Sequence, residues 1–100
     1  LRGEVRKVSF IKNRVNELEK MGFKCLEPKG AFYIFAGYEN IDRLKDMKSL
    51  DFALDLLEKT GLAIVPGSTF QVESYVRFSI VHDIPILEEA IERLKKYMNL

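Results

Sequence analysis

Arg77 is the residue of this sequence best suited to bind an anion, because it stands in the middle of an otherwise apolar segment. In the alternating run YVRFSI at positions 75–80, the apolar side chains face one side of a predicted strand. Arg77 faces the other side, between the hydroxyls of Tyr75 and Ser79. A guanidinium in such a setting needs water, a carboxylate or a phosphate as its partner. Arg77 is therefore a candidate for binding an anionic group, and a surface salt bridge is the alternative.

Few other residues have the types and spacing that catalysis or metal binding requires. His82 is the single histidine, and its position just before the last predicted helix is typical of a surface or capping residue. A metal site needs several ligands, which one histidine and one distant cysteine do not provide. Cys25 is predicted to be a small buried apolar residue. The glutamates at positions 88–92 lie on the polar side of a helix, and the glycines form no phosphate-binding loop.

The composition is that of a single globular domain. The chain has 100 residues, of which 47% are hydrophobic, and no apolar run approaches the length of a membrane span. Its 16 basic and 15 acidic residues nearly cancel, which argues against binding to nucleic acid. One cysteine allows no intrachain disulfide, so we predict a reducing, cytoplasmic location. The chain starts at Leu1, as expected either of a piece of a longer protein or of a trimmed terminus.

Three segments have the apolar periodicity of helices that pack on one side. The first comprises residues 4–21 and is ended by Gly22. The second begins with Ser49 as its N-cap and ends at Gly61, and the third has Pro85 in its first turn. The apolar stripe of the second helix is predicted to consist of Leu50, Ala53, Leu54 and Leu57, widened by Phe52 and Leu56.

The remaining apolar segments are predicted to be strands. A short strand is expected at 23–26, a strand that is apolar on both faces at 31–36, and a strand, turn and strand within 63–80. These elements predict an α/β two-layer fold, with a small mostly antiparallel or mixed sheet and helices packed on one face. The opposite face would carry Arg77 and aromatic side chains, and nothing left in this chain covers it. We therefore predict that it docks against another domain or subunit.

Three motifs carry a resemblance to a known enzyme family. They are PKGAFY at positions 28–33, AIVPGSTF at 63–70 and YVRFS at 75–79, in this order. Together they resemble the carboxyl-terminal small domain of class I/II, fold-type I, pyridoxal-phosphate aminotransferases, most of all the aspartate and aromatic aminotransferase group. The resemblance covers nearly the whole chain. It implies that residues 1–100 are one domain of an enzyme that transfers an amino group between an amino acid and a 2-oxo acid.

The resemblance also implies roles for two residues. Arg77 matches the family's arginine that binds the substrate α-carboxylate at two points, which the planar guanidinium suits. Phe32 matches an aromatic residue near the active-site cavity, and packing within the sheet is its alternative role. The lysine and the phosphate-binding residues that hold pyridoxal phosphate belong to the family's large domain, which precedes this segment. The isolated chain is therefore expected to be inactive, and the full-length enzyme is expected to be a homodimer.

The sequence differs from the family pattern in two places, and it allows one alternative function. The loop at 71–74 reads QVES, whereas the family usually has a glycine there, so access to the site and the substrate side chain are not predicted. The first helix carries RKVS at 6–9, where the family often has an Arg-Arg-Asp run. The alternative function is a stand-alone α/β module that uses its open sheet face to bind a protein or to dimerise. The three motifs argue against that alternative.

Overall fold

The fold consists of helices packed on a small sheet, in the part of the chain that a computed structural model describes, residues 12–26, 33–80 and 84–99. In chain order the elements are α1 (residues 12–20), β1 (Lys24–Leu26), β2 (Tyr33–Gly37), α2 (Ser49–Thr60), β3 (Val65–Pro66), a 3-10 helix (Gly67–Phe70), β4 (Tyr75–Ser79) and α3 (Ile84–Tyr97). The predicted ends of α1 and α2 are confirmed, because Gly22 and Gly61 have φ angles of 107° and 76°. No helix among these residues is long and apolar enough to cross a membrane.

The described strands form one antiparallel sheet with the order β1-β2-β4-β3. After β2 the chain forms α2 and then returns to the sheet as β3, which is not a direct neighbour of β2. The last strand, β4, lies between β2 and β3 and pairs with both. Arg77 in β4 therefore lies directly opposite Phe35 on one side and Val65 on the other. The predicted α/β two-layer fold with a small, mostly antiparallel or mixed sheet is confirmed, and every described strand pair is antiparallel.

One face of the sheet is covered by the helices. The alternation predicted for β4 is correct, since Val76 and Ile80 are buried on this face together with Ile34 and Ala36 of β2. The helix residues in the same buried cluster are Leu18 from α1, Phe52 and Leu56 from α2, and Ile91 and Leu94 from α3. Burial of such apolar side chains contributes about 1.5–3 kcal/mol each and holds the two layers together.

Helix α2 turns a different side to the core than the sequence predicts. Leu50, Leu54 and Leu57 are 51%, 55% and 47% exposed. Phe52 and Leu56, which the prediction placed at the margin of the stripe, are fully buried. Ala53, which the prediction also placed in the stripe, is buried. The prediction is therefore wrong for the three leucines and correct for Ala53, and the helix itself is where the sequence placed it.

The aromatic ring of Phe52 sets the rotation of α2. Its centroid lies 5.1 Å from that of Tyr38, 6.1 Å from that of Tyr97 and 6.4 Å from that of Phe23. Such ring pairs contribute about 0.5–1.5 kcal/mol beyond the area they bury. Helix α2 carries apolar residues on most of its sides. Its sequence alone therefore did not reveal which side would meet the aromatic rings.

Ser49 is not the N-cap of α2, contrary to the prediction. The N-cap is Lys48, whose side chain makes no capping hydrogen bond. Ser49 is the first helical residue and is completely buried, and its hydroxyl accepts a hydrogen bond from the backbone N–H of Ser68 at 2.9 Å. The capping group comes instead from Glu73, whose carboxylate accepts a hydrogen bond from the backbone N–H of Ser49 at 2.9 Å.

Two side chains outside the helices complete the core. Cys25, predicted to be buried, is half-buried and packs against the core cluster. Burial, assisted by the charge of Glu19, raises its thiol pKa to about 12. Tyr38 directly follows β2 and is fully buried, and its hydroxyl donates a hydrogen bond to the carbonyl oxygen of Met47 at 2.7 Å. Burial also raises the pKa of Tyr38, and the negative charge of Glu73 raises it further.

Candidate functional site

Arg77 lies at the centre of the sheet face that points away from the helices. We call this surface the open face, and the strand register places on it Lys24, Leu26, Tyr33, Phe35, Val65, Tyr75, Arg77 and Ser79. Leu26, Phe35, Arg77 and Val65 form one row across the four described strands. Arg77 is half-buried, and its neighbours in this row are aromatic and aliphatic side chains. The sequence predicted this placement from the alternation of β4.

The guanidinium of Arg77 rests on an aromatic ring instead of pairing with a carboxylate. Its Cζ lies 4.1 Å from the centroid of the Tyr33 ring. Among the residues that the structure describes, the guanidinium of Arg77 forms no hydrogen bond and no ion pair. A stacking contact of this kind is attractive and uses none of the five N–H donors of the guanidinium. The donors remain available for an anion that approaches the open face.

A chain of aromatic rings supports Tyr33. The ring of Tyr33 packs edge-to-face against that of Phe35 with centroids 6.4 Å apart, and Phe35 packs edge-to-face against Phe70 at 5.4 Å. Sequence reasoning did not predict a role for Tyr33 or Phe70. The contact of Phe70 depends on the 3-10 helix that carries it, and so short an element shows no periodicity from which a face could be inferred.

The loop between the 3-10 helix and β4 leads directly into the strand that carries Arg77. Gln71 and Ser74 adopt φ angles of 62° and 69°, a left-handed conformation that glycine adopts most easily. A Cβ atom at Gly67 would lie only 1.8 Å from the carbonyl oxygen of Val72, so only glycine fits there. The loop therefore keeps a glycine-like backbone geometry at 71 and 74 even though it contains no glycine.

Comparisons with known proteins agree with the fold. The family model described as "Aminotransferase class I and II" matches residues 9–94. Aspartate aminotransferase from Bacillus subtilis is 42% identical over 82 residues, covering 81% of this chain and 21% of that relative. Aspartate aminotransferase from Thermotoga maritima is 39% identical over 85 residues, covering 85% of this chain and 21% of that relative. The crystal structure of an aromatic aminotransferase from Pyrococcus horikoshii superposes with a TM-score of 0.80 at 34% identity, covering 93% of this chain and 24% of that one.

The chain belongs to the class I and II aminotransferase family. It spans about a fifth of the length of the aminotransferases that it matches in sequence. The resemblance inferred from the three motifs is thereby confirmed at the level of the family. Phe32, the second site residue that the family resemblance implied, lies outside the described residues, as does His82.

The described part of this aminotransferase chain does not fit the family's cofactor, pyridoxal phosphate. Enzymes that use this cofactor bind it through a lysine amine, and its phosphate needs a set of hydrogen-bond donors. Lys24 is the lysine that shares the open face with Arg77 in the described strands, and it is exposed on the edge strand β1 with β2 in between. No group of three metal-ligating side chains occurs within the described ranges either. The open face suits a carboxylate better than it suits the cofactor.

A basic pocket of about 410 Å³ at the C-terminal ends of α2 and α3 is a second place where an anion could bind. Arg43, Lys59, Arg93 and Lys96 are the cations that line it. Arg43 and Arg93 donate hydrogen bonds to the carbonyl oxygens of the last residues of α3 and α2, and Lys59 pairs with a carboxylate one turn earlier in α2. These cations already offset the negative ends of two helix dipoles. Arg77 is therefore the stronger candidate.

Proposed function

We propose that this chain is the domain of a pyridoxal-phosphate-dependent aminotransferase that binds the α-carboxylate of the substrate, and that Arg77 is the residue that binds it. The proposal rests on one observation. The guanidinium of Arg77 lies on the open face and has no carboxylate partner among the described residues. An amino acid and its 2-oxo acid both carry the carboxylate that such a guanidinium recognises. Family membership supplies the reaction, the transfer of an amino group between the two.

The chemistry of arginine suits this role. A guanidinium is planar, stays charged at every physiological pH, and offers parallel N–H donors to the two oxygens of a carboxylate. Two hydrogen bonds fix the direction of the bound group as well as its position. A substrate held in this way presents its Cα–H bond in one direction, toward the catalytic lysine that the rest of the enzyme supplies.

The remaining parts of the active site are proposed to come from outside this chain. The cofactor supplies the electron sink for the reaction when it is bound to the large domain. A chain that spans 21% of its relatives and presents no fitting cofactor site in its described residues is expected to be inactive alone. We further propose that the complete enzyme is a cytoplasmic homodimer. The alternative, a stand-alone interaction module, is supported by the aromatic open face but does not account for the match to the aminotransferase family.

The test is to replace Arg77 in an enzyme that contains this chain. Removing one partner of a partly desolvated charge pair costs about 2–5 kcal/mol, so Arg77→Ala should lower kcat/KM roughly thirtyfold to several thousandfold. Arg77→Lys should restore only part of this loss, because an ammonium does not form the two-point contact. The losses are measured with an amino acid, with its 2-oxo acid, and with an amine that lacks the carboxylate.

The control is Lys20→Ala, which removes an exposed cation from the end of α1. It should leave kcat/KM nearly unchanged for all substrates. The proposal fails if a folded Arg77→Ala enzyme, checked by circular dichroism, loses activity equally with the amine and with the amino acid, or loses neither.

A further inference from the structure

We propose that Tyr33 is a positioning residue for Arg77, and that its ring holds the guanidinium in the orientation in which it receives the substrate carboxylate. The inference rests on the proposed function of Arg77 and extends it to a second side chain. Tyr33 would not touch the substrate carboxylate in this scheme. It would act through the 4.1 Å contact between its ring and the guanidinium.

The strand register explains why Tyr33 is the aromatic residue that reaches Arg77. Tyr33 lies opposite Ser79, and Arg77 lies opposite Phe35, so Tyr33 and Arg77 are diagonal neighbours on the open face. Diagonal neighbours are about 7–8 Å apart at the backbone, a distance that two long side chains bridge easily. The arginine side chain therefore runs across the sheet and meets the ring.

A ring is a suitable support for a guanidinium that must bind a carboxylate. An arginine side chain has several rotatable bonds, and ordering it on binding costs free energy. The contact with Tyr33 orders the guanidinium in advance while leaving its N–H donors free. The contacts of Tyr33 with Phe35, and of Phe35 with Phe70, fix the supporting ring in turn. The arrangement is preorganised for an anion that arrives from the side of the open face.

Tyr75 provides a contrast on the same face. It lies two residues before Arg77 in β4, but its ring lies over the backbone of Gly37. A Cβ atom at Gly37 would be 2.9 Å from Tyr75 Cζ. Tyr75 therefore covers a glycine of β2, and it serves as the matched control for Tyr33.

The experiment compares Tyr33→Ile, Tyr33→Phe and Tyr75→Ile in an enzyme that contains this chain. Isoleucine suits a strand, so Tyr33→Ile removes the ring at little cost to the sheet. It should lower kcat/KM for the amino acid and the 2-oxo acid roughly threefold to thirtyfold, as expected for loss of a cation–π contact. Tyr33→Phe keeps the ring and should retain nearly full activity. Tyr75→Ile should change kcat/KM by less than Tyr33→Ile does.

Two readouts separate positioning from a merely structural role. Activity with an amine that lacks the carboxylate should be unchanged in Tyr33→Ile. The same substitution made in the Arg77→Ala enzyme should have little further effect, because the guanidinium that the ring supports is already gone. If Tyr33→Ile does not fold, Tyr33→Met serves in its place.

The outcomes are distinguishable. If Arg77→Ala shows a carboxylate-specific loss and Tyr33→Ile does not, the role of Tyr33 is wrong while the proposed function stands. The role of Tyr33 is also wrong if Tyr33→Ile lowers kcat/KM by the same factor in the original enzyme and in the Arg77→Ala enzyme. It is likewise wrong if Tyr33→Ile lowers kcat/KM equally for the amine and for the amino acid. If Arg77→Ala itself shows no carboxylate-specific loss, the proposed function fails and the positioning role fails with it.

Discussion

The carboxylate of Glu73 accepts hydrogen bonds from both the backbone N–H and the hydroxyl of Ser49, at 2.9 Å and 3.2 Å. Glu73 belongs to the loop before β4, and Ser49 is the first residue of α2. A negative charge at the N-terminus of a helix is favoured by the helix dipole and satisfies a backbone donor that the helix leaves free. One side chain thus links the loop that precedes the Arg77 strand to the helix that covers the opposite face.

Removing this link should destabilise the chain. Glu73→Ala leaves the N–H of Ser49 without its acceptor and should lower the free energy of unfolding by about 1 kcal/mol. Glu73→Gln keeps one acceptor oxygen and should cost less. Urea unfolding followed by circular dichroism measures both effects, with the exposed Glu58→Gln as the control. Equal stability of Glu73→Ala and the original chain would contradict the capping role.

Introducing glycine into the loop should have the opposite effect. Gln71 and Ser74 have positive φ angles, which cost a residue with a Cβ about 1–2 kcal/mol. Glycine avoids this cost but loses about 0.5–1 kcal/mol of chain entropy on folding. Gln71→Gly and Ser74→Gly should therefore each raise the free energy of unfolding by roughly 0.5–1 kcal/mol. Val72→Gly, at a position without a positive φ, should lower it, and a gain in that control would refute the explanation.

The stability of the chain should fall in acid partly because of Asp55. The hydrogen bond from the Tyr97 hydroxyl, at 2.6 Å, and a second one from Lys59 hold the pKa of Asp55 below its ordinary value of 3.8. Since the pKa is lower in the folded state, the stabilisation is present above pH 3.8 and is lost as the pH falls through the folded value. Tyr97→Phe removes the largest cause and should make stability less dependent on pH between about pH 5 and pH 2.

Thermal unfolding measured across that pH range provides the test. Tyr75→Phe is the control, because Tyr75 makes no hydrogen bond to Asp55. If Tyr97→Phe and Tyr75→Phe lose stability in acid with the same slope as the original chain, the hydrogen bond does not set the pKa of Asp55.

The sequence predicted those features that depend on one segment at a time. The alternation of β4 placed Val76 in the core and Arg77 on the opposite face, and both placements agree with the structure. Gly22 and Gly61 marked the ends of two helices, because a left-handed residue after a helix is a local requirement. The fold class followed from these elements, since a sheet with one apolar face needs helices to cover it.

The features that the sequence did not predict depend on contacts between distant segments. The rotation of α2 is set by rings that Phe52 meets only after folding, from Tyr38 and Tyr97. The contact between Tyr33 and Arg77 requires the register of β2 against β4, which neither strand determines alone. The alternation of β4 was therefore enough to identify Arg77 as a candidate, whereas the contact with the Tyr33 ring could not be predicted from the sequence.

The two edge strands are short as far as the structure describes them, and this affects how the domain meets other molecules. In the described part of the sheet, β3 has only two residues and β1 has three, and Pro66 in β3 carries no N–H to donate. Such edges are poor templates for adding a strand from a second molecule, and they protect against fibril growth through backbone pairing. The aromatic face around Arg77 can thus remain exposed to a ligand or a neighbouring surface while the margins of the sheet resist ordered aggregation.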